Sequence, residues 1–432
     1  MGGTALTNAD GNEARASRHG PAESWVDVYV SPPAEERVRA GSLWVFEGEI
    51  VRVDAGGGWP EGESLSPGVE ARVLGRRGRF LGRGYYNPAA NLAVRLLSRQ
   101  DAPIDEAFWR RRLEAALAWR HQTLPGATAV RLVHGEADLL PGLVVDRYGP
   151  VAVVQFLTAG TDARRRLLSA LLWDLLQPLG VTGLYERSDV SVRKLEGLEA
   201  RSGVLQGQVP PEVEIEENGL RFRVDVRGGQ KTGYYLDQKL NRARLAAYVK
   251  PGERVLDVFC HTGAFALHAA HYGAAQVIGV DSSAAAVAEA GRNAALNGLA
   301  DRCQFVEANA FDWLREWERK VAAREAAPFG LVILDPPAFA PGRRNVEAAL
   351  RGYKEINLRA LRLVAPGGHL VTASCSHHIQ VPLFEEMLRQ AAADSGVAAQ
   401  IVEKRGASPD HPALLSMPET EYLKLFVLRR LG

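Results

Sequence analysis

Residues 331–339 read Leu-Val-Ile-Leu-Asp-Pro-Pro-Ala-Phe, and residues 371–376 read Val-Thr-Ala-Ser-Cys-Ser. Each starts as an apolar run of strand length and ends on reactive or rigid chemistry. The first ends on the carboxylate of Asp335 followed by Pro336 and Pro337, and the second on the thiol of Cys375. A segment of helical periodicity separates them, so in a parallel α/β sheet both runs finish at the carboxyl edge, where such sheets place their ligands. A carboxylate, two prolines and a thiol then face one crevice.

Outward from this pair, the chain from Gly219 onward alternates strand and helix. The pattern predicts strands at 254–258, 276–280, 303–307, 331–334, 369–373, 399–402 and 422–428. Helices are predicted at 263–272, 284–297, 310–318, 346–364 and 382–393, the last with Pro382 at a first helical position. Repeated βα units mean an open, mostly parallel seven-stranded sheet of Rossmann-like α/β class, with helices on both faces.

The first of these strands runs into Leu256-Asp257-Val258-Phe259-Cys260-His261-Thr262-Gly263-Ala264-Phe265. A dinucleotide site wants three spaced glycines so that the pyrophosphate can approach the helix start, and only Gly263 is present. A ligand without a pyrophosphate fits better, and S-adenosylmethionine is the common one. Asp257 is then expected on its methionine part, with Gly263 allowing close backbone approach and Phe259, Thr262 and Phe265 in the same turn. Asp281, ending the second strand, can accept both ribose hydroxyls, and Asn309, after the third, can bond the adenine edge. Strand-end Asp and Asn often merely cap the next helix. With Asp335, four such residues in register along one edge argue for a cofactor.

The chain has 432 residues, more than one hydrophobic core usually holds. The division expected is a disordered tail over 1–24, a small β domain over 25–100, a mixed α+β domain over 101–215 and the α/β domain over 216–432. In the β domain Arg72, Arg76, Arg77, Arg79 and Arg83 cluster near a glycine-rich hairpin, followed by Tyr85 and Tyr86. Arginines beside aromatics suit phosphate contact and base stacking, against the alternative of a solvated hairpin with core tyrosines. The formal net charge of +1 requires any RNA surface to be a local patch. A bridging helix is expected over 105–121. In the middle domain, strands are expected at 151–156 and 183–186 with one helix over 162–176 between them, and no catalytic constellation emerges there. Three cysteines, Cys260, Cys303 and Cys375, show no metal-type spacing, which points to a reducing, cytoplasmic setting. No signal-peptide pattern or membrane-spanning run is present, and Leu6 breaks a myristoylation pattern at Met1-Gly2.

At this point a resemblance becomes specific. From about residue 26 to 432 the chain resembles the RlmI-like family of class I S-adenosylmethionine-dependent 23S ribosomal RNA 5-methylcytosine methyltransferases. The matching pieces are Trp44-Val45-Phe46 and Arg83-Gly84-Tyr85-Tyr86-Asn87-Pro88 in a PUA-like segment, residues 140–148, Gln230 through Gln238, and the two opening motifs. Some members carry lysine where this chain has Ala338, so no role is assigned there. The resemblance implies S-adenosylmethionine as cofactor, large-subunit ribosomal RNA as partner and a PUA-like domain that delivers it. A homodimer is compatible with the sequence, which does not fix the oligomeric state.

The chemistry then gives each motif a part. Cytosine C5 is a poor nucleophile, so a thiolate must first add to C6, and Cys375 is expected to do this from a lowered pKa. Asp335 is expected on N3 or the exocyclic amine, Pro336 and Pro337 to keep the loop rigid, and Phe339 to stack on an extruded base. Cys260 is a weaker nucleophile candidate facing the methionine end, Cys303 reads as core, and His377 or His378 could accept the C5 proton. Guanine or adenine methylation on the same fold needs no thiol, so Cys375 discriminates. A non-catalytic ribosome-assembly factor is opposed by Asp257, Gly263 and Asp281.

Overall fold

The computed structural model describes residues 25–55, 64–340 and 342–432. The expected disordered tail, 1–24, lies outside them.

The α/β domain is built as the alternation predicts. Its strands are β1 (Arg254–Val258), β2 (Gln276–Asp281), β3 (Cys303–Glu307), β4 (Phe329–Leu334), β5 (Val364–Ser374), β6 (Ala399–Arg405) and β7 (Lys424–Arg430), in the order β3-β2-β1-β4-β5-β7-β6. Only β7 runs antiparallel to its neighbours. The central strands are Val/Ile/Leu runs because both their faces are covered. Val255, Val277, Leu331 and Ile333 point to one core, while Leu256, Val258, Ile278, Val332 and Leu334 point to the other. Helices α1 (Ala264–His271) and α2 (Ala284–Leu296) pack on the first face. Helices α3 (Ala310–Ala322), α4 (Val346–Leu363) and α5 (Val381–Ser395) pack on the second. The chain reverses direction across the sheet between β1 and β4, and the crevice at that switch point receives the ends of β1, β2, β4 and β5.

Residues 25–55 and 64–98 form a six-stranded sheet with a short helix, Pro32–Arg39. The bridging helix spans Glu106–Thr123, with Asp105 as its cap accepting from the Phe108 amide at 2.8 Å. It lays Trp109, Leu113 and Ala116 into the core over a five-stranded sheet made from residues 129–207.

Two expectations need correction. The helix expected over 162–176 is broken at Arg164 into Ala159–Ala163 and Arg165–Leu176. Thr158 and Thr161 cap the first piece reciprocally, and Arg164 leaves the helical course to lie 3.9 Å over the Tyr85 ring and donate to the Gly68 carbonyl. The limit drawn at 215/216 falls inside a strand, because Glu212–Glu217 and Leu220–Asp225 form a hairpin. Its apolar side, with Val213, Ile215, Phe222 and Val224, shares one core with β1, β2 and β4 and with Tyr148 and Val151 of the middle sheet. The loop before β7 also ties the domains: Leu43 N donates to Met417 Sδ, and Arg120 and the Arg131 amide bond Asp410.

Candidate active site

The turn after β1 is held from behind. Asp257 is buried at the end of the strand, and its Oδ2 accepts from the Ala266 amide at 2.9 Å, capping the start of α1. Its Oδ1 is buried with no partner. Burial, and then the nearby Asp335 and Asp281 carboxylates, push Asp257 up to about 8. Phe259 and His261 adopt left-handed backbone (φ 68° and 48°), a sparsely populated conformation for residues with a Cβ. The Phe259 and Cys260 amides both donate to the Val280 carbonyl, locking the turn onto β2. Gly263 has φ 83°, and a Cβ there would sit 3.0 Å from both Ala290 and the Phe305 ring, so its smallness serves helix and strand packing as well as the turn.

Asp281 is part-exposed at the end of β2, and its two oxygens accept from the His261 and Ser283 amides at 2.9 and 3.0 Å. Each oxygen keeps lone-pair capacity for a hydroxyl donor. Asn309 caps α3 through its Oδ1, which accepts from Phe311 and Asp312, and leaves its amide hydrogens free at an exposed position. Thr262 gives its carbonyl to Asn293. Phe265 is not at the site surface. Its side chain is in the core beneath the sheet, 5.8 Å under the Arg242 guanidinium.

Asp335 follows β4 directly, next to the β1 turn, and its Oδ1 accepts from Gln238 Nε2 at 3.0 Å. Burial and the neighbouring Asp237 raise it to about 6. Cys375 follows β5 and is part-buried, with Sγ 4.0 Å from the Pro336 carbonyl. The thiol is not lowered as expected. Burial first, and then the Asp335 carboxylate, push it up to about 11 against the opposing pull of Lys231 and Lys424. Phe339 is not free to stack on a base from both sides, because its ring is clustered with Tyr353 (4.6 Å), Phe311 (6.0 Å) and Phe259 (6.2 Å). Pro336 is buried and Pro337 exposed.

The other cysteines separate from this crevice. Cys260 is buried with its thiol raised well above the usual range by burial, and its sulfur packs on Gly279 of β2. Cys303 packs against the apolar core. His377 and His378 are exposed, and the His377 ring lies against Tyr422 at 5.4 Å.

Several groups in the crevice were not singled out in the sequence. Gln238 is fixed by Asn241, which bonds Arg405 in turn. Asp237 Oδ2 accepts from Lys231 Nζ (3.0 Å) and from the Tyr422 hydroxyl (2.7 Å). Although burial opposes it, Lys231, His411 and Tyr422 hold Asp237 well below the usual carboxylate range. Lys424 donates to the Ser376 and Tyr422 carbonyls, and burial lowers it to about 8. Residues 230–238 were noted only as a matching segment, and Tyr422 and Lys424 carried no local signal.

In the PUA-like domain the arginines divide. Arg72 pairs with Asp27, and Arg83 with Glu70 and Asp101. Arg76, Arg77 and Arg79 are exposed, Arg79 reaching Glu35 only at 3.9 Å. Tyr85 is buried against Trp109, so the stacking expected of it is occupied internally.

The three carboxylates Asp257, Asp281 and Asp335 thus converge at a switch point, one of them with an orphaned buried oxygen. That deficit of positive charge suits a cationic ligand such as a sulfonium with an amino group. With the 3-2-1-4-5-7-6 strand order, they define an S-adenosylmethionine-dependent methyltransferase. The family described as S-adenosylmethionine-dependent methyltransferase matches residues 198–424, and a PUA-like domain matches residues 28–99. Ribosomal RNA large subunit methyltransferase I of Tolumonas auensis is 40% identical over 93% of this chain and 98% of its own. That of Photobacterium profundum is 39% identical over 92% and 98%. The chain belongs to the ribosomal RNA large subunit methyltransferase I family. Its fold is shared with a putative methyltransferase from Streptococcus mutans, at TM-score 0.77 and 20% identity over 93% of this chain and 99% of that one. A putative methyltransferase solved with SAH matches equally, at TM-score 0.78 and 20% identity over the same shares.

S-adenosylmethionine is the cofactor, and the ribose role of Asp281 is open to test. Asp281→Ala removes charge-assisted hydrogen bonds worth roughly 1.5 to 3 kcal/mol, so calorimetric affinity for S-adenosylhomocysteine should fall about 10- to 150-fold. Unchanged affinity would reject the assignment.

Proposed function

We propose that this chain forms 5-methylcytosine in large-subunit ribosomal RNA through a covalent bond from Cys375 to cytosine C6. The observation that carries the reading is the pairing at adjacent strand ends of one thiol and one carboxylate. Cys375 Sγ lies 4.0 Å from the Pro336 carbonyl, and Asp335 itself is poised near neutrality at about 6. An amino-group methylase has no use for a thiol at that place.

The residues divide the work as follows. Cys375, once deprotonated, adds its sulfur to C6, and the C5=C6 electron pair moves to C5 as a protonated Asp335 donates to N3. Gln238 aims Asp335 by its 3.0 Å hydrogen bond. S-adenosylmethionine supplies the methyl group that C5 takes up. A base, for which His377 and His378 are the candidates, then takes the C5 proton, and the electron pair of that C–H bond restores the double bond and expels the Cys375 thiolate. Lys231 and Lys424 favour the thiolate electrostatically, opposing burial. Mass-spectrometric mapping of ribosomal RNA from cells lacking the gene tests the reading. One missing 5-methylcytosine is expected, whereas a missing methylated purine would move the amino-group reading ahead.

The exposed arginines support delivery of the RNA. Replacing Arg76, Arg77 and Arg79 together with alanine should weaken RNA binding and flatten its salt dependence by up to about three units of slope. Cofactor affinity should stay unchanged, and an unaltered salt slope would return the cluster to a solvated hairpin.

A further inference from the structure

Beside the crevice lies a second cavity, of about 290 Å³, where the bridging helix meets the loop that precedes β7. Trp119, Pro409, His411, Pro412, Tyr422 and Leu423 are part of its wall. Trp119 is 42% exposed, unusual for an indole, yet it is not loose: its Nε1 donates to the Pro409 carbonyl at 3.1 Å. The ring is therefore fixed in orientation while an aromatic surface stays open. Tyr422 belongs to both sites, since it lines the cavity while its hydroxyl donates to Asp237, and the His377 ring packs against its ring.

We propose that this cavity is a second nucleobase site, holding a base that flanks the target in the same RNA strand, stacked on the indole of Trp119. The inference rests on the RNA reading above and names a specificity determinant of that same site. Its volume is at the lower end for small-molecule pockets, which suits one planar ring system and not a folded element. Extruding a target base leaves its neighbours unstacked, and aromatic side chains are the usual replacement for the lost stacking. The wall carries no lysine or arginine, so it selects a base and not a phosphate. Glu421, also in the lining, repels phosphate and can accept from an exocyclic amine, favouring cytosine, adenine or guanine over uracil. Because the two sites share Tyr422, their occupants belong to neighbouring nucleotides.

The test compares wild type, Trp119→Ala and Trp119→Phe in steady-state methylation of large-subunit RNA taken from cells lacking the gene. Loss of one stacked base should raise KM for RNA about 5- to 150-fold in Trp119→Ala, with kcat held within about two-fold. Trp119→Phe keeps a stacking face but loses the hydrogen bond to Pro409, so it should behave nearly as wild type. If the phenylalanine variant is as impaired as alanine, Trp119 is an interdomain strut and the proposal is overturned. An unchanged KM in Trp119→Ala, or a KM rise accompanied by lost S-adenosylhomocysteine affinity, overturns it as well. Ultraviolet crosslinking of wild type to the RNA should join residues 106–123 or 406–423 to a nucleotide adjacent to the methylated one, and a crosslink only elsewhere would sink the idea. If wild type methylates a purine, the cytosine reading fails on its own, and the crosslink still reports on the cavity.

Discussion

Cys375→Ser should abolish methylation, lowering the rate by about 10⁴-fold or more, while binding of S-adenosylhomocysteine stays intact. Serine keeps the size of the side chain but supplies no anionic nucleophile at neutral pH. Asp257 and Asp281, the carboxylates proposed for the cofactor, hold their positions through backbone amides that do not involve Cys375. Cys303→Ser should remain active, because Cys303 packs in the core, and Cys260→Ser should lose only part of the activity, because its sulfur packs on Gly279 of β2. With RNA carrying 5-fluorocytosine at the target, the methyl group can be added but fluorine cannot leave as a proton would. Wild type should therefore accumulate a denaturant-stable protein–RNA adduct whose peptide mass maps to Cys375. A fully active serine variant, or an adduct on Cys260, would remove the nucleophile assignment.

Asp335→Asn should cost about 10²- to 10⁴-fold in kcat/KM and should also reshape the pH profile. Asp335 at about 6 and Cys375 at about 11 bracket a state that holds one proton between the two groups; the proton sits mostly on sulfur, and the minor arrangement with it on Asp335 is the one able to donate to N3 while offering a thiolate. Activity of wild type should rise as pH increases through about 6, stay level, and fall as pH passes about 11. In Asp335→Asn the limb near 6 should vanish, since only the thiol then titrates, and activity should instead keep rising as pH climbs toward the thiol's own range, with no fall above it. The same substitution removes a carboxylate that raises Cys375, so alkylation of the thiol by iodoacetamide should become faster at any given pH near neutrality. A variant that retains the limb near pH 6, or whose thiol reacts no faster, would take Asp335 out of both parts.

The strands β1 to β5 and the helices between them were legible because a strand covered on both faces must be an apolar run, and a helix covered on one face must repeat its apolar residues every three to four positions. The site carboxylates were legible for a related reason: Asp257, Asp281 and Asp335 end such runs, and a parallel sheet collects those ends at one edge. The break at Arg164 escaped the pattern, because its cause is the Tyr85 ring and the Gly68 carbonyl in another domain. Tyr85 and Phe339 looked like stacking surfaces in sequence, and each proves to be packed against other aromatics.

What the sequence determined by itself is therefore the order of elements and the identity of the groups that stand at the carboxyl edge of the sheet. What the tertiary structure alone decided is who those groups answer to: Gln238 on Asp335, Tyr422 and Lys231 on Asp237, and Trp119 beside Tyr422. It also set the protonation of the site, raising Cys375 where a lowered thiol was expected. The physical reason is one of range. Periodicity records the burial of a single element and is written in neighbouring residues. Hydrogen-bond partners and pKa shifts are sums over every element packed around a group, and here those elements come from positions more than a hundred residues apart, such as Asp237 and Tyr422.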